Sequence, residues 1–325
     1  MLSLLAFSGR TVTVLALLCA GVSTGSAHAA STPDACTGFA AKGVLTVDQL
    51  PTGARSKGCD LTGRVVVNGT VGVAVPARGE TVRVDALRAD GGEAAGLSVS
   101  VAQDGVISYQ THSAESGESA SVQALSACSD TTRPPTMHEE IHTYTWYVGD
   151  GGMPGGLTQA QAYAAFADAI DNITKTYNDC GISDTVDAKS SYAGTSTYEA
   201  DINASSQCTP RDEQNTWDAG DLAAGHLAVT CSWTVDGTTS NLRELVEADV
   251  RYNTTDNNFT NSPSSSCVNL YDIRAVGTHE AGHVFGMDHV SAAHPDLTMS
   301  PSINACDTSD RTLGRGDYLT LEAIY

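Results

Sequence analysis

The chain has 325 residues and a formal net charge of −21, because 38 acidic side chains outnumber 17 basic ones. So acidic a surface repels nucleic acid and gives no support to a basic phosphate-binding role. It is compatible with Ca²⁺ sites, although the chain contains no run of ligands like that of an EF-hand.

The first 29 residues have the pattern of a secretory signal peptide. Arg10 precedes an apolar run from Thr11 to Ala20, and Ala27-His28-Ala29 supplies a small-x-small cleavage site. The run is too short to span a bilayer, and no later stretch is apolar enough to do so, so no membrane anchor is predicted. The mature protein is therefore expected to be secreted and extracellular.

Residues 30–135 are predicted to form a small β-rich unit. Short runs with the residue types of strands are separated by turns that contain Gly and Asp. These runs are Arg64–Val67, Thr81–Val84 and Leu97–Val101. A linker containing Arg133-Pro134-Pro135 follows at residues 126–137. The unit is interpreted as a pro-region or an accessory domain, preceding a second domain at residues 136–325.

The second domain is predicted to open with a strand at residues 143–148, followed by a helix from Thr158 to about Asp179. Thr158 and Gln161 form a capping-box pair, and Gly181 ends the helix. Apolar residues at helical spacing indicate a core-facing stripe. They are Tyr163, Phe166, Ala167, Ile170, Ile173 and Tyr177. Two further strands are predicted at residues 226–235 and 245–253.

Nine cysteines are present, and eight of them follow the signal peptide, which would remove Cys19. An even number in a secreted chain indicates disulfides, and sequence alone leaves 105 pairings open. The favoured pairs are Cys36–Cys59, Cys180–Cys208, Cys267–Cys306 and Cys128–Cys231. The third has the strongest argument, because it would tie the start of a helix near residue 270 to the loop after residue 299.

The most informative stretch, residues 278–290, reads T-H-E-A-G-H-V-F-G-M-D-H-V. His279 and His283 are four residues apart, so on a helix they project from the same face about one turn apart. Two imidazoles in this arrangement can bind one tetrahedral zinc ion. Glu280 can reach a water on that metal. The alternative is a His-rich amphipathic helix whose imidazoles only pack or face solvent.

Gly286 and His289 make the pattern more specific. Gly286 tolerates the left-handed conformation that ends a helix, so the chain can turn there and bring His289 back as a third ligand. Three nitrogen ligands leave a fourth position open for water, which is the arrangement of a catalytic rather than a structural zinc site.

The pattern H-E-x-x-H-x-x-G-x-x-H resembles the signature of the metzincin clan of zinc peptidases. Leu297-Thr298-Met299-Ser300-Pro301 is similar to the Met-turn of that clan. Within the clan, Leu313-Gly314-Arg315-Gly316-Asp317, with the short apolar segment ending at Tyr325, is similar to the closing helix of matrixins. The resemblance covers roughly residues 140–325.

The resemblance implies an α+β catalytic domain with a mixed twisted sheet, a backing helix, a zinc helix, a Met-turn and a C-terminal helix. One catalytic Zn²⁺ would be held by His279, His283 and His289. Glu280 would act as general base, and Met299 would form an apolar floor beneath the imidazoles. For Asp317, a hydrogen bond near the Met-turn and a plain helix cap are both open.

The resemblance also implies that the strand at residues 226–235 is a sheet edge lining the substrate cleft, with Leu227 and Ala228 in that edge. His226 is interpreted as an ordinary packed or surface histidine, and no second zinc site is expected. The matrixin latency motif P-R-C-G-x-P-D is absent from the sequence. For Cys128 a disulfide is favoured over ligation of zinc as a thiolate.

The favoured function is a secreted, monomeric zinc endopeptidase that cuts proteins or peptides and has no nucleic-acid or membrane partner. One alternative is a secreted binding protein that has kept the metal site without turnover. Another is a zinc hydrolase acting on cell-wall peptide amides. Glu280 favours catalysis over binding alone, since a non-catalytic site does not need a carboxylate there.

Overall fold

The computed structural model describes residues 43–50, 53, 61–89, 91, 95–112, 125–238 and 240–325. The signal peptide predicted at residues 1–29 and the predicted Cys36–Cys59 disulfide lie outside these ranges. The described chain is α+β, with three α-helices and mixed sheets. Within it, no helix combines the length and apolarity needed to cross a membrane.

The first half of the described chain consists of β-strands. The predicted strand runs are all present, although each extends beyond or is shifted from its predicted bounds. The strands are β1 Leu45–Thr46, β2 Val65–Asn68, β3 Val71–Ala74, β4 Glu80–Arg88, β5 Ala95–Val101 and β6 Ile107–His112.

The second half adds nine strands and the helices. The strands are β7 His138–Glu139, β8 Tyr144–Gly149, β9 Ser190–Ser196, β10 Gln207–Cys208, β11 Asn215–Gly220, β12 His226–Val235, β13 Arg243–Asn253, β14 Phe259–Thr260 and β15 Tyr271–Asp272. The helices are α1 Gln159–Thr174, α2 Ile273–Val284 and α3 Arg315–Ile324, with 3₁₀ turns at Val47–Gln49, Pro154–Gly156 and Ser309–Arg311.

The largest sheet in the described residues has nine strands, in the order β6-β5-β4-β12-β13-β11-β8-β9, with β7 paired to β13. Strands β13, β11, β8 and β9 run parallel to one another, whereas β12, β4, β5 and β6 alternate in direction. A smaller sheet has the order β1-β2-β3-β10, and β14 pairs with β15.

Helix α1 follows the sequence prediction at its start and ends earlier than predicted. Thr158 accepts the backbone N–H of Gln161, and Gln161 accepts that of Thr158, which confirms the capping box. The helix stops at Thr174, since Thr176 has a φ of +45° and cannot continue it. Of the predicted stripe, Phe166, Ile170 and Ile173 are buried against the sheet, whereas Tyr163 and Tyr177 are exposed.

The domain boundary predicted at residue 135 is wrong, since the described residues on both sides of it belong to one compact unit. Strand β4 pairs with β12 along its whole length, so the N-terminal strands extend the sheet of the second half. Val82 and Val84 of β4 pack with Val229 and Trp233 of β12 in one buried apolar cluster. A shared core of this kind does not divide into two independent domains.

The segment predicted as a linker is docked on the body of the protein. The backbone N–H of Met137 donates to the carbonyl of Gly286, and that of Asp288 donates to Pro135. Thr320 of α3 donates its hydroxyl to the carbonyl of Pro134. These contacts place the segment beside the turn that follows α2, so it is structural rather than free.

Three disulfides join described cysteines, and the predicted pair Cys267–Cys306 is confirmed. The predicted pairs Cys180–Cys208 and Cys128–Cys231 are wrong, since the bonds are Cys128–Cys180 and Cys208–Cys231. The docked segment brings Cys128 to the loop after α1, and the small sheet brings β10 behind β12. The Cα separations of 5.2 and 5.7 Å suit a disulfide.

Candidate metal centre

The C-terminal half of α2 carries His279 and His283, and a Schellman motif ends the helix. The N–H of Met287 donates to the carbonyl of Gly282 at 2.9 Å, and that of Gly286 donates to His283 at 3.1 Å. Gly286 has a φ of +92°, and a Cβ there would collide with the carbonyl of His138. Only glycine meets both conditions, and the chain turns there as the sequence predicts.

Three imidazoles converge after this turn. The Nε2 atoms of His279, His283 and His289 lie 3.1, 3.1 and 3.2 Å apart in pairs. The Nδ1 of His279 lies 2.7 Å from the carbonyl of Thr298, and that of His283 lies 2.9 Å from the carbonyl of Met287. A carbonyl can only accept, so both Nδ1 atoms carry the proton and both Nε2 atoms present lone pairs.

Burial sets the charge of these rings. His279 and His283 have no solvent exposure and His289 has 7 %. Burial lowers the pKa of His283. It lowers the pKa values of His279 and His289 well below their ordinary value, and the neighbouring His283 ring lowers both of these further. Three neutral, inward-facing nitrogen donors form a group that could hold a metal ion.

Glu280 is fully buried between α2 and β12. Its Oε2 accepts the hydroxyl of Thr230 at 2.5 Å, whereas its Oε1 is buried with no hydrogen-bond partner among the described residues. Burial raises the pKa of Glu280 to about 8, the hydrogen bond from Thr230 lowers it, and the charge of Asp85 raises it further. A buried carboxylate oxygen without a partner is costly, so Oε1 is positioned for a small polar molecule.

Met299 packs against α2 at Gly282. It is fully buried, and a Cβ at Gly282 would collide with its sulfur atom. Gly282 therefore admits Met299 against the helix between Glu280 and His283. No role for Gly282 is predicted from the sequence, where its only signal is that it is a small residue inside the H-E-x-x-H pattern.

Asp317 performs both of the roles left open for it. Its Oδ2 accepts the N–H groups of Gly314 at 3.0 Å and of Thr298 at 2.9 Å, and its Oδ1 accepts that of Met299 at 3.3 Å. It caps α3 and holds the backbone of the Met299 turn with the same carboxylate. Burial raises its pKa to about 6 in spite of these donors.

The predicted edge strand is not an edge. Leu227 and Ala228 are buried, and β12 is paired with β13 on one side and β4 on the other. The prediction failed because it placed the N-terminal strands in a separate domain. His226 is a packed histidine, buried with its ring nitrogens bonded to Thr70 and Ser206.

Asp85 of β4 lies near the centre, and the sequence contains no motif that would have identified it. It stands opposite Thr230 in the β4–β12 register. A carboxylate oxygen of Asp85, one of Asp288 and a ring nitrogen of His289 all lie within 4.8 Å of one another. Burial opposes the ionisation of Asp85 and is the largest single effect, but the charge and hydrogen bonds of Arg83 together with the nearby His283 and His289 outweigh it and lower the pKa of that carboxyl.

A cavity of about 400 Å³ adjoins one side of the triad. Its wall includes His289 and Asp288 from the triad loop, His112 from β6, and Arg133 and Pro135 from the docked segment. Because His279 and His283 do not line this cavity, it approaches the centre only along the His289 side.

A second group of possible metal ligands lies elsewhere in the sheet. Asp201, Glu247 and Asp249 offer carboxylate oxygens within 4.8 Å of one another. Burial raises the pKa of Asp201 to about 6, that of Glu247 to about 8 and that of Asp249 well above its ordinary value. The group was not identified from sequence, and calcium binding stays a prediction.

Among known proteins, no protein-family model and no curated protein matches the chain.

Proposed function

We propose that the protein is a secreted zinc-dependent endopeptidase of the metzincin type, similar to the matrixins. One observation carries the proposal: three imidazole Nε2 atoms converge within 3.2 Å of one another beside a buried Glu280 whose Oε1 has no partner in the described chain. The first part is a metal-binding arrangement, and the second is a base for proton transfer.

The spacing of the nitrogen atoms supports zinc. Zn–N bonds of about 2.0–2.1 Å in a tetrahedron place ligand nitrogens about 3.3–3.4 Å apart. The separations of 3.1–3.2 Å need only a small adjustment to reach that value. Histidine ligands whose other ring nitrogen donates to a backbone carbonyl are usual around zinc, and His279 and His283 have this arrangement.

Zinc bound here would supply a Lewis acid that polarises a peptide carbonyl and lowers the pKa of a water. Glu280 takes the proton of the attacking water at Oε1 and returns it to the leaving amine. Thr230 holds Oε2, so the other oxygen remains available.

The surroundings of the centre support the metzincin assignment. Met299 is buried against α2 at Gly282, and Asp317 of α3 accepts the backbone N–H of Met299. The three disulfides among the described cysteines favour an oxidising compartment outside the cell. The partnerless Oε1 of Glu280 favours hydrolysis over a binding protein that holds metal without turnover.

The test separates metal binding from chemistry. His283→Ala is expected to reduce zinc content sharply, whereas Glu280→Gln should keep one zinc per chain and lose about two to four orders of magnitude in peptide hydrolysis. Zinc is measured by atomic absorption, and hydrolysis with a peptide library with and without chelator.

Glu322→Gln, an exposed carboxylate on α3, is the matched control and should behave as wild type. If Glu280→Gln hydrolyses peptides at nearly the wild-type rate, or if the metal-free protein is fully active, the proposed zinc endopeptidase is wrong. Cleavage of cell-wall peptides but not of the peptide library would instead support the alternative function, a zinc hydrolase that acts on cell-wall peptide amides.

A further inference from the structure

The third histidine of the triad is held differently from the other two. His279 and His283 each place Nδ1 at hydrogen-bond distance from a backbone carbonyl, at 2.7 and 2.9 Å. His289 lies beyond the end of α2, and its Nδ1 has no hydrogen-bond partner among the described residues. A ligand on a loop without such a partner depends on other contacts to hold it in place.

Asp288, the residue before His289, supplies such a contact. Its Oδ1 accepts the backbone N–H of His289 at 2.7 Å and also accepts the Arg83 guanidinium at 2.6 Å. The backbone N–H of Asp288 donates to the carbonyl of Pro135 at 2.8 Å. Both the backbone and the side chain of Asp288 are therefore fixed, and Asp288 connects the backbone of the third ligand to Arg83 of β4.

Arg83 is itself held in one orientation by Asp85. The Nε and Nη2 atoms of Arg83 donate to the two carboxylate oxygens of Asp85 at 2.6 and 2.8 Å, and a bidentate pair of this kind fixes the plane of the guanidinium. Only 7 % of Arg83 is exposed. Burial opposes its charge, but Asp85 and Asp288 outweigh burial and raise the pKa of Arg83, so the guanidinium stays charged.

His112 of β6 completes the cluster. Its Nε2 lies 3.0 Å from Nη1 of Arg83 and 3.2 Å from the hydroxyl of Ser98. A guanidinium can only donate, so Nε2 accepts and the proton of the neutral ring is on Nδ1, which lies 3.6 Å from Asp288. Burial, with the charge of Arg83, lowers the pKa of His112 and favours this neutral form.

Two carboxylates of the cluster also lie beside the ring of His289. One oxygen of Asp85, one of Asp288 and a ring nitrogen of His289 are all within 4.8 Å of one another. Arg83 binds both carboxylates, so a single guanidinium determines where the two negative charges stand relative to the third ligand.

The cluster comes from a part of the chain that the resemblance to metzincins does not cover. Arg83 and Asp85 are in β4 and His112 is in β6, all before residue 140. β4 is an interior strand, paired with β12 on one side and β5 on the other. Backbone hydrogen bonds on both sides therefore fix the positions of Arg83 and Asp85, and a rigid element of this kind can hold a ligand precisely.

We propose that Arg83 is a positioning residue for the third metal ligand. With Asp85 and His112 it fixes Asp288, and Asp288 fixes the backbone of His289. The strands β4 and β6 are then part of the metal centre and not an accessory unit. The proposal rests on the proposed function only in taking the triad as a zinc centre, and it does not require peptide hydrolysis.

The test measures the metal and its ligand geometry, apart from catalysis. Full-length wild type and Arg83→Met are titrated with Zn²⁺ against a chromogenic chelator, and each is loaded with Co²⁺ for visible absorption. Arg83→Met should weaken zinc binding about 10- to 100-fold, the usual effect of losing a partner that orients a ligand. Its Co²⁺ spectrum should also change, because water replaces a mobile third ligand in part of the molecules.

Arg83→Lys tests rescue by a conservative change. Lysine keeps the charge but cannot form the bidentate pair with Asp85, so zinc affinity should lie between those of wild type and Arg83→Met. If Arg83→Met does not fold, Asp288→Asn takes its place. The asparagine can still accept the N–H of His289 but loses the charge-assisted bond from Arg83, so zinc binding should weaken about threefold.

Arg243→Met is the matched control. It removes a guanidinium of the same sheet that bonds Thr234 and the carbonyl of Gly79, and none of these residues contacts the triad loop. Its zinc affinity and Co²⁺ spectrum should match wild type. Urea unfolding of the metal-free proteins measures how far each substitution destabilises the fold.

Each outcome decides one claim. A folded Arg83→Met with wild-type zinc affinity and Co²⁺ spectrum overturns the positioning role and leaves the zinc endopeptidase standing. Equal loss of affinity in Arg83→Met and Arg243→Met also overturns it, since the effect is then one of general stability. Weaker zinc binding in Arg83→Met alone, without hydrolysis by any form, supports positioning and contradicts the endopeptidase. A wild-type chain that binds no zinc overturns both.

Discussion

Asp317 is connected to His279 through a single residue, Thr298. The carboxylate of Asp317 accepts the N–H of Thr298 at 2.9 Å, and the carbonyl of Thr298 accepts the Nδ1 proton of His279 at 2.7 Å. The orientation of the first histidine therefore depends on a side chain in α3, almost forty residues further along the chain. Partners of this kind orient a ligand and tune its basicity.

Asp317→Asn should weaken zinc binding about 10- to 100-fold, the usual effect of losing such a partner. The amide can accept at only one of its two positions, so the Thr298 turn loses part of its support. Competition with a chromogenic chelator measures the zinc dissociation constant. The control is Glu322→Gln on the same helix, and equal affinity in Asp317→Asn and wild type would remove Asp317 from the metal centre.

Gly282→Ala should destabilise the fold by about 1–3 kcal/mol, the usual cost of overpacking a core. The added Cβ would overlap the Met299 sulfur, which lies in a fully buried position. Urea unfolding measures the change. Gly152→Ala is the matched control, because nothing lies within 4 Å of a Cβ there. A Gly282→Ala variant as stable as that control would show that Met299 has room to move.

Glu247 is expected to make the fold less stable as the pH rises. Burial raises its pKa from 4.5 to about 8, so between these values the folded state binds a proton that the unfolded state releases. Stability contributed by that proton is present below about pH 4.5 and is lost as the pH approaches 8. Glu247→Gln, which resembles the protonated form, should show a smaller loss of unfolding free energy between pH 5 and 8.

Urea unfolding at several pH values, in a chelating buffer that excludes cation binding, tests this expectation. Glu213→Gln is the control, since the Glu213 side chain is 83 % exposed. An unchanged pH dependence in Glu247→Gln would show that the carboxyl at position 247 ionises normally in the folded state.

The disulfide pattern is open to direct mapping. Mass spectrometry of a non-reduced digest should give peptides linked as Cys128–Cys180, Cys208–Cys231 and Cys267–Cys306. Replacing Cys128 and Cys180 together by serine should cost about 4 kcal/mol, because the bond closes a loop with a sequence separation of 52. A peptide linked as Cys128–Cys231 would instead support the pairing predicted from the sequence.

The sequence by itself determined the parts of the centre that lie close together in the chain. His279, Glu280, His283, Gly286 and His289 fall within eleven residues, and helix periodicity with one glycine turn is enough to bring them together. The capping box of α1 was readable for the same reason, since its residues are three apart. Local backbone geometry decides such features.

Only the tertiary structure decided how distant segments meet. β4 pairs with β12 although more than 130 residues separate the paired positions in the chain. Because strands pair through backbone hydrogen bonds, which every residue type except proline can form, the sequence of a strand does not identify its partner. The position of Asp85 opposite Thr230 and the Cys128–Cys180 bond follow from that pairing and from the docked segment. A β-rich stretch reads the same whether it forms its own domain or extends a neighbouring sheet, because burial depends on what packs against it.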